Sequence, residues 1–590
     1  MKKEMSRLQS ALDKLQSQHD DLENLIRAHR QLLTPFRRLP NEVLSEIFIH
    51  CLPEKHNAIM STQSAPLLLG RVCSRWRMVV YQRTPRLWAT LHVPAPSFPL
   101  ICGWQNIVLP PLELRQLQAE YETKFDRQCN AIREWLQRSN KCLLSISFFP
   151  AHQTAQITSV QTRSLFNAAE LTEYHIRYLS LLVSFSHRWK SLEIGISNQA
   201  QAEFLASIPQ RSVTHLQSLY LQPLIPANEL EPLFKSGLLA AQNLRTLHLF
   251  NLPSSLSTSV INFSGITHLM LRRQPLPGPE PNDERLTINE AYWLFASCRF
   301  LVHCAISIID IKQAIFTPKP LWHAANGKLF LPLLQSLDIM ERAYHLGSLF
   351  ELFDVPSLYS IGYRTMFSAA NPEHPERRSP LLMLILQTNG QVMELTLDFQ
   401  SFDSRRQDIV EIFKRTPQLE RLTHKHSNED MEIIQGISGP QHRLPSFTPL
   451  ASLKWVLDLL TPSYISQDGY CLCPYLQIID LSSTMFLSEH DVAHFLQRRL
   501  SAAAIGAVAR FTSVKIAFFC PKLVDIPALL QTYTEEGQFD LNISYPSKVQ
   551  YKNGKFERIN GLLIPQRLGK GRPRQPWSED IFSWLRQVSS

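Results

Sequence analysis

The side chains best suited to chemistry lie in two short pairs, Cys471-x-Cys473 and His424-Lys425-His426. Thiolates and imidazoles are the ligands that zinc prefers. In structural zinc sites, however, two to four residues separate the paired cysteines, and a second pair of ligands is needed. Cys471 and Cys473 are separated by one residue, and the alternate histidines fall in a predicted loop. Neither pair predicts a metal site.

Motifs for nucleophilic and phosphate chemistry are absent from the sequence. There is no GxSxG, HExxH, GxxxxGK[ST] or GxGxxG pattern, and the chain has only 19 glycines against 39 prolines. Each of those motifs places a nucleophile, a metal-binding pair or a phosphate cradle at a fixed spacing. We therefore expect no enzymatic activity and no cofactor.

The cysteines and the N-terminus indicate a reducing compartment. No apolar segment follows the first residues, and no run of about 18 apolar residues predicts a membrane helix. Without a secretory signal, free thiols are expected rather than disulfides, and the location is expected to be cytoplasmic, nuclear or both. The ten cysteines are scattered over residues 51, 73, 102, 129, 142, 298, 304, 471, 473 and 520.

Two amphipathic helices are predicted in the segment 34–93, which we treat as one domain. The first covers Asn41–Cys51 and the second Pro66–Arg83, and each places apolar residues on one face at helical spacing. A turn at Thr84-Pro85 follows. Alternatively, two such helices could simply be part of the protein core, packed around a buried tryptophan.

The order of residues in this segment resembles an F-box, and most closely the large set of fungal F-box proteins with leucine-rich repeats. The matching residues are Leu39-Pro40, Glu42, Leu44, Ile47-Phe48, Val72-Cys73-Ser74-Arg75-Trp76 and Leu87-Trp88. One departure is the long spacer Pro53–Ala65 between the helices.

The resemblance implies a three-helix unit with an exposed apolar strip that binds the Skp-type adaptor of a cullin-based ubiquitin ligase. An uncovered apolar strip generally marks a partner site. The residues expected to contact the adaptor or to hold its helices in place are Leu39, Pro40, Val43, Ile47, Phe48, Val72, Trp76 and Trp88.

A loose repeat of the form L-x-x-L-x-L predicts a degenerate leucine-rich-repeat array over residues 141–545. Each repeat would give a short strand whose alternate apolar residues enter a core shared with its neighbours. An ordinary α/β sheet with short strands is the alternative. The copies start at Trp189, Leu216, Leu244, Ile266, Leu301, Leu334, Leu358, Val392, Leu419, Leu453 and Leu476, and those at 419 and 453 fit worst.

The segments before the array are predicted to be helical. In residues 1–33 the apolar positions are spaced alternately by three and four residues, which is typical of a coiled coil. The helix could associate with another copy of itself. Alternatively, it is a single helix that packs back on the F-box or stays partly exposed. Residues 94–140 form a connector or capping segment with a helix over 118–140. The apolar residues of this segment predict that it packs against both the F-box helices and the first repeat. The alternative is that it only caps the exposed end of the repeat array.

The segment 546–590 is a basic tail. Its part 546–576 holds eight Lys and Arg residues against Glu557, and Gly569–Arg574 resembles a minor-groove A·T hook. One hook binds weakly, so nucleic-acid binding is not expected. A solvated segment or a nuclear-import patch is favoured, followed by a short helix over Ser578–Val588.

The fold class that these features predict is α+β or α/β. An N-terminal helix and an F-box three-helix unit would precede a degenerate leucine-rich-repeat solenoid. The function expected from the resemblance is that of a substrate-recognition subunit of an SCF-type (cullin-RING) E3 ubiquitin ligase, whose repeats bind an unknown protein substrate. The alternative is an F-box scaffold or chromatin-associated interaction protein that acts outside a ligase.

Overall fold

A computed structural model of the chain shows a mixed α/β fold that divides into two compact units. The first unit contains residues 1–419 and 426–448, and the second contains residues 420–425 and 449–590. The structure describes residues 2–32, 39–54, 56–93, 100–101, 111–149, 163–164, 168–223, 225, 227–250, 260–272, 286–310, 328–343, 346–365, 378–399, 402, 406–425, 453–462, 471–482, 487–518, 522, 524–534, 539–545, 548–552 and 555–559.

Parallel strands form the centre of the first unit. In the main sheet of this unit the spatial order of the described strands follows the chain order. These strands are β1 (Thr90–Val93), β3 (Leu144–Phe148), β5 (Trp189–Ile196), β6 (Ser218–Pro223), β7 (Thr246–Phe250), β8 (His268–Arg272), β9 (His303–Asp310), β11 (Ser336–Ala343), β13 (Ser360–Thr365) and β14 (Glu394–Leu397). Two minor pairs join β2 (Leu100–Ile101) to β4 (Arg163–Ser164) and β10 (Leu329–Phe330) to β12 (Phe353–Asp354).

Helices precede the sheet and form many of the crossover connections that parallel strands need. In the first unit they are α1 (Lys2–Leu32), α2 (Asn41–His50), α3 (Ser74–Met78), α4 (Pro111–Arg138), α5 (Ala168–Val183), α6 (Gln199–Ala206), α7 (Glu231–Phe234), α8 (Ile288–Ser297), α9 (Leu346–Phe350), α10 (Pro380–Ile385) and α11 (Arg406–Arg415). Several are shorter or longer than the sequence predicts. The helix predicted over 118–140, for example, covers Pro111–Arg138 in the structure.

The second unit also has parallel strands in chain order. They are β15 (Arg421–His424), β16 (Ile478–Leu481), β17 (Ser513–Ala517) and β18 (Asp540–Ser544). The helices are α12 (Lys454–Leu460), α13 (Glu489–Ala504), α14 (Ile526–Leu529) and α15 (Gln531–Thr534). In the basic tail, β19 (Lys548–Lys552) pairs with β20 (Lys555–Ile559) in an antiparallel hairpin that the sequence analysis did not predict. The A·T-hook-like segment and the predicted helix 578–588 lie outside the described residues.

The hexad pattern predicts most strands correctly because its apolar positions match the period of two of a strand. In the hexad that starts at Leu244, the side chains of Leu244, Leu247 and Leu249 are buried, while His248 points to the other face of β7. Backbone bonds repeat at the same position from strand to strand, as in Arg245 N–H to the Gln217 carbonyl at 2.8 Å and in Thr267 N–H to the Arg245 carbonyl at 2.8 Å. The backbone pairing therefore continues in the same way from one strand to the next.

The strand that the hexad at Leu453 predicts is wrong. Residues 454–460 form the helix α12, whose buried residues are Val456, Leu457 and Leu460. Their spacing of one and then three residues suits a helical face and not a pleated strand. The ambiguity arises because a short apolar run satisfies both periods.

The predicted second F-box helix, Pro66–Arg83, is not continuous. A 3-10 turn covers Leu69–Arg71, Cys73 is extended at φ −156°, and α3 then begins and passes into a π-helical turn over Val79–Arg83. The Cys73 sulfur accepts a hydrogen bond from the Trp76 backbone N–H at 3.4 Å. This cap satisfies one of the free N–H groups of the helix start and ends the preceding turn.

Candidate functional site

Helix α2 presents two different faces. Leu44 and Phe48, one turn apart, are fully buried, whereas Val43 and Ile47 are 42 % and 38 % exposed. Pro40 is exposed one turn before Val43. The helix therefore has an inner stripe that packs and an outer apolar stripe, Pro40, Val43 and Ile47, that meets solvent.

An aromatic contact and the hydrogen bonds of one arginine side chain join α2 to α3. The rings of Phe48 and Trp76 lie 4.7 Å apart between centroids. The Arg75 guanidinium donates to Asn41 Oδ1 from Nε at 3.2 Å and from Nη2 at 3.1 Å, and it also donates to the Leu39 carbonyl oxygen. These bonds hold the start of α2, where backbone groups lack helical partners, against the second helix.

The third element of this region is the turn Pro85–Trp88, which closes the core beneath the two helices. Trp88 is fully buried, and its indole N–H donates to the Val80 carbonyl at 2.9 Å. Thr84 is also buried and its hydroxyl lies 2.8 Å from Ser45 Oγ on α2. A salt bridge between Arg86 and Glu46 at 3.0 Å lies at the surface, where such pairs contribute little.

The spacer between the helices has a structural role. Ala58 is fully buried, and its carbonyl accepts from the His92 N–H at 2.7 Å, while Ile59 forms a parallel bridge to His92. The Asn57 amide donates to Ser147 Oγ at 3.0 Å. The spacer thus covers β1, the edge strand of the sheet, and an edge left open would invite pairing with another chain. The predicted boundary of the F-box domain at residue 93 therefore falls after a strand of the sheet.

The eight residues that the sequence singles out divide into three groups. Phe48 and Trp88 have no exposed surface, so they hold the helices in place and do not touch a partner. Leu39 and Trp76 are half-buried. The exposed members are Pro40, Val43, Ile47 and Val72, the last at 57 % exposure. Sequence reasoning missed Leu68, which is 45 % exposed one turn before Val72. We call Pro40, Val43, Ile47, Leu68 and Val72 the apolar strip.

Helix α4, from the predicted connector, contacts both neighbours. Trp135 lies 4.8 Å from Trp88, edge to face, and its indole N–H donates to the Thr90 carbonyl at 3.2 Å. Further along the same helix, the Phe125 ring lies 4.6 Å from that of Tyr178 on α5. Residues 111–138 therefore pack against the turn below α2 and α3 and against the first helix of the repeat region, as the sequence predicts. Residues 94–99 and 102–110 of the connector lie outside the described residues.

The polar face of the sheet in the first unit is the second candidate surface. Register places Tyr220, His248 and Met270 side by side on β6, β7 and β8. Burial lowers the pKa of His248, and the nearby His268 and Arg272 lower it further. Burial raises the pKa of Glu193 on the neighbouring strand β5. One row of this face therefore carries a carboxyl, a phenol, an imidazole and a thioether side chain on four neighbouring strands.

Three charged residues from three different strands form ion pairs on this face. The Arg272 guanidinium lies 2.7 Å from Asp338 on β11, and Arg364 on β13 reaches the same carboxylate at 3.3 Å. Strand β9 lies between Arg272 and Asp338 and presents the small residue Ala305 in register with Asp338. Gly362 is required opposite Asp338, because a Cβ there would lie 2.7 Å from the Asp338 Oδ1 atom. No sequence signal pointed to this cluster, since its members are 26 to 92 residues apart.

Of the two pairs considered as metal ligands, one member of each, Cys473 and His424, is buried, and Cys471 is partly buried. Cys473 is 1 % exposed and burial raises its pKa to about 12, so it is a thiol and not a thiolate at neutral pH. The buried Arg499 donates to the Cys473 carbonyl and lies with Nη1 3.7 Å from the Cys471 sulfur. His424 is 1 % exposed at the end of β15, and His426 lies outside the described residues. Cys473 and His424, which the sequence offered as possible metal ligands, are thus packing residues of the core.

No helix among the described residues is long and apolar enough to span a membrane. All cysteines that the structure describes are free. No protein-family model matches the sequence, and no curated protein matches it either. The resemblance to F-box proteins therefore rests on the motif residues, and the apolar strip is the feature on which a functional proposal can be built.

Proposed function

We propose that this chain is the substrate-recognition subunit of an SCF-type E3 ubiquitin ligase. The apolar strip would bind the Skp-type adaptor, and the repeat region would bind a protein substrate. The main support for this proposal is that α2 has a buried stripe, Leu44 and Phe48, and an exposed apolar stripe, Val43 and Ile47. A helix that needed only to fold would carry polar residues on its outer side.

The proposed role requires no chemistry from the chain itself. A receptor that holds a substrate near a conjugating enzyme raises the local concentration of the reacting groups. Its usefulness depends on a defined distance between its two ends, since a flexible tether would dilute that effect. The contacts of Trp135 with Trp88 and of Phe125 with Tyr178 support such coupling between the F-box region and the start of the repeats.

The test is affinity purification of the tagged full chain from cells, with and without an inhibitor of cullin neddylation. We expect the adaptor and a cullin to copurify in both cases, and substrates to accumulate on the receptor when the ligase is inhibited. Failure to recover the adaptor would contradict the proposal. Recovery of the adaptor without a cullin would favour the alternative, an F-box scaffold that acts outside a ligase.

A further inference from the structure

The N-terminal helix α1 exposes a continuous apolar seam. Every described side chain from residue 4 to residue 27 is exposed. The seam residues retain between 44 % and 69 % of their surface, and they are Met5, Leu8, Leu12, Leu15, Leu22 and Ile26. The expectation that this helix packs back on the F-box is therefore not met by the described side chains.

A helix with such a seam gains little from its own contacts. The side-chain bonds described within it, from Gln9 to Asp13 at 3.1 Å and from Arg27 to Glu23 at 3.4 Å, lie beside the seam and leave it uncovered. Most helical stability in proteins comes from packing an apolar face. Six large apolar side chains in water along 31 residues therefore require a partner.

The spacing of the seam identifies what kind of partner fits. Its residues alternate by three and four, an average of about 3.5 residues per turn, which matches another helix with the same period in a left-handed coiled coil. Leu8, Leu15 and Leu22 occupy the d positions, and leucine at d beside a β-branched a residue such as Ile26 is typical of parallel dimers. The a positions hold Met5, Leu12, His19 and Ile26.

The other long helix that the structure describes does not fit, because its apolar face is occupied. Phe125, Ile132, Trp135 and Leu136 of α4 are each at most 1 % exposed within the first unit. A second copy of the chain supplies a helix with the same seam and length.

The charges beside the seam agree with a parallel, in-register pair. In that arrangement each g residue faces the e residue of the next heptad on the other helix. Glu4 then faces Gln9, and Gln18 faces Glu23, so no like charges meet. The helix carries six basic and five acidic residues, which leaves little net repulsion between copies. His19 would meet its own counterpart, and a polar residue at a single a position helps to fix register.

We propose that the chain forms a parallel homodimer through α1, with the seam residues Met5 to Ile26 in a two-stranded coiled coil. This interface is separate from the apolar strip on α2 and does not depend on the ligase function. Each dimer would carry two copies of the strip and two repeat surfaces.

The mass of the purified full chain in solution tests the dimer. Size-exclusion chromatography with light scattering should give twice the chain mass of 67.8 kDa. The double variant Leu8→Asp, Leu15→Asp places carboxylates in the seam and should reduce the mass to that of one chain. The matched control Ser10→Asp, Ser17→Asp adds the same charge on the opposite side of the helix and should remain dimeric. A wild-type chain that is monomeric over a wide range of loading concentrations would overturn the proposal, as would a dimer that the seam variant leaves intact.

Orientation is tested by cysteine cross-linking. In a parallel pair the two copies of residue 5 face each other, so Met5→Cys should give a disulfide-linked dimer on mild oxidation. Wild type carries the same native cysteines, and Ser10→Cys places a thiol on the outer side, so neither should cross-link through this helix. A dimer by mass whose Met5→Cys variant does not cross-link above these controls would overturn the parallel arrangement.

Discussion

The indole rings of Trp88 and Trp135 pack edge to face with their centroids 4.8 Å apart. Trp88 closes the core under the two F-box-like helices, and Trp135 belongs to the long helix that leads to the repeats. The Arg138 guanidinium lies 4.9 Å over the Trp88 ring and extends the contact by one turn. The two regions therefore share a core and do not meet through an independent linker.

Replacement of Trp135 tests that shared core. Trp135→Ala should lower the free energy of unfolding by about 3–5 kcal/mol, because it removes a large buried ring and the hydrogen bond to the Thr90 carbonyl. The control is Trp293→Ala, since Trp293 is 63 % exposed and its loss should change stability by about 0.5 kcal/mol or less. Chemical denaturation of the full chain measures both. Equal effects of the two substitutions would contradict the shared core.

Limited proteolysis tests the same coupling along the chain. Trypsin sites at Lys124, Arg127 and Arg133 lie on α4. We expect slow cleavage there in the intact protein, because a protease needs an unfolded segment and this part of the helix is held by the buried Phe125 and Trp135. Early cleavage within α4 that released a stable C-terminal fragment would show that the F-box-like helices and the parallel sheet after α4 are separate bodies.

Paired substitutions on α2 separate folding from binding. Phe48→Ala should lower the unfolding free energy by about 3–5 kcal/mol, because Phe48 is fully buried against Trp76. Val43→Ala, at an exposed position of the same helix, should change it by about 0.5 kcal/mol or less. Thermal denaturation compares the two. A destabilisation by Val43→Ala as large as that by Phe48→Ala would place Val43 in the core and remove it from the apolar strip.

The polar face of the sheet predicts a dependence of stability on pH. The pKa of His248 is lowered in the folded protein by burial and by His268 and Arg272, so the unfolded chain takes up the proton first as the pH falls. Stability should then be full above the ordinary imidazole pKa of about 6.5 and should decrease below it. His248→Gln should reduce this decrease in melting temperature, whereas the exposed control His215→Gln should not. A wild-type profile that is flat between about pH 7 and pH 5 would contradict the effect.

Much of the fold follows from periodicity in the sequence. The hexads predict strands at ten of the eleven starts, because their apolar positions match the period of two of a strand that faces a core. The hexad at Leu453 fails, because its apolar residues also fit a helical face and α12 buries them. The break at Cys73 was not predictable from the phase of the apolar residues, since a backbone turn and a sulfur cap interrupt it.

The candidate surfaces are only partly encoded in local sequence. The F-box-like motif and the apolar helix face together indicated Val43, Ile47 and Val72 but did not distinguish them from the buried Phe48 and Trp88, because both kinds of residue are apolar. The link between Asp338 and its two arginines depends on register between strands. Residues far apart in the chain meet there, and no local pattern indicates it.

We propose above that the exposed stripe of α2 binds a Skp-type adaptor, and the affinity of the purified full chain for purified adaptor measures this binding. Titration calorimetry should show binding by the wild type. Val43→Asp with Ile47→Asp should weaken it by about 2 kcal/mol or more, about thirtyfold, because two carboxylates would be desolvated in an apolar contact. The control Thr62→Asp with Gln63→Asp adds the same charge at exposed positions of the spacer and should bind as the wild type does. Absence of wild-type binding, or an unchanged affinity of the Val43 and Ile47 variant, would contradict the account.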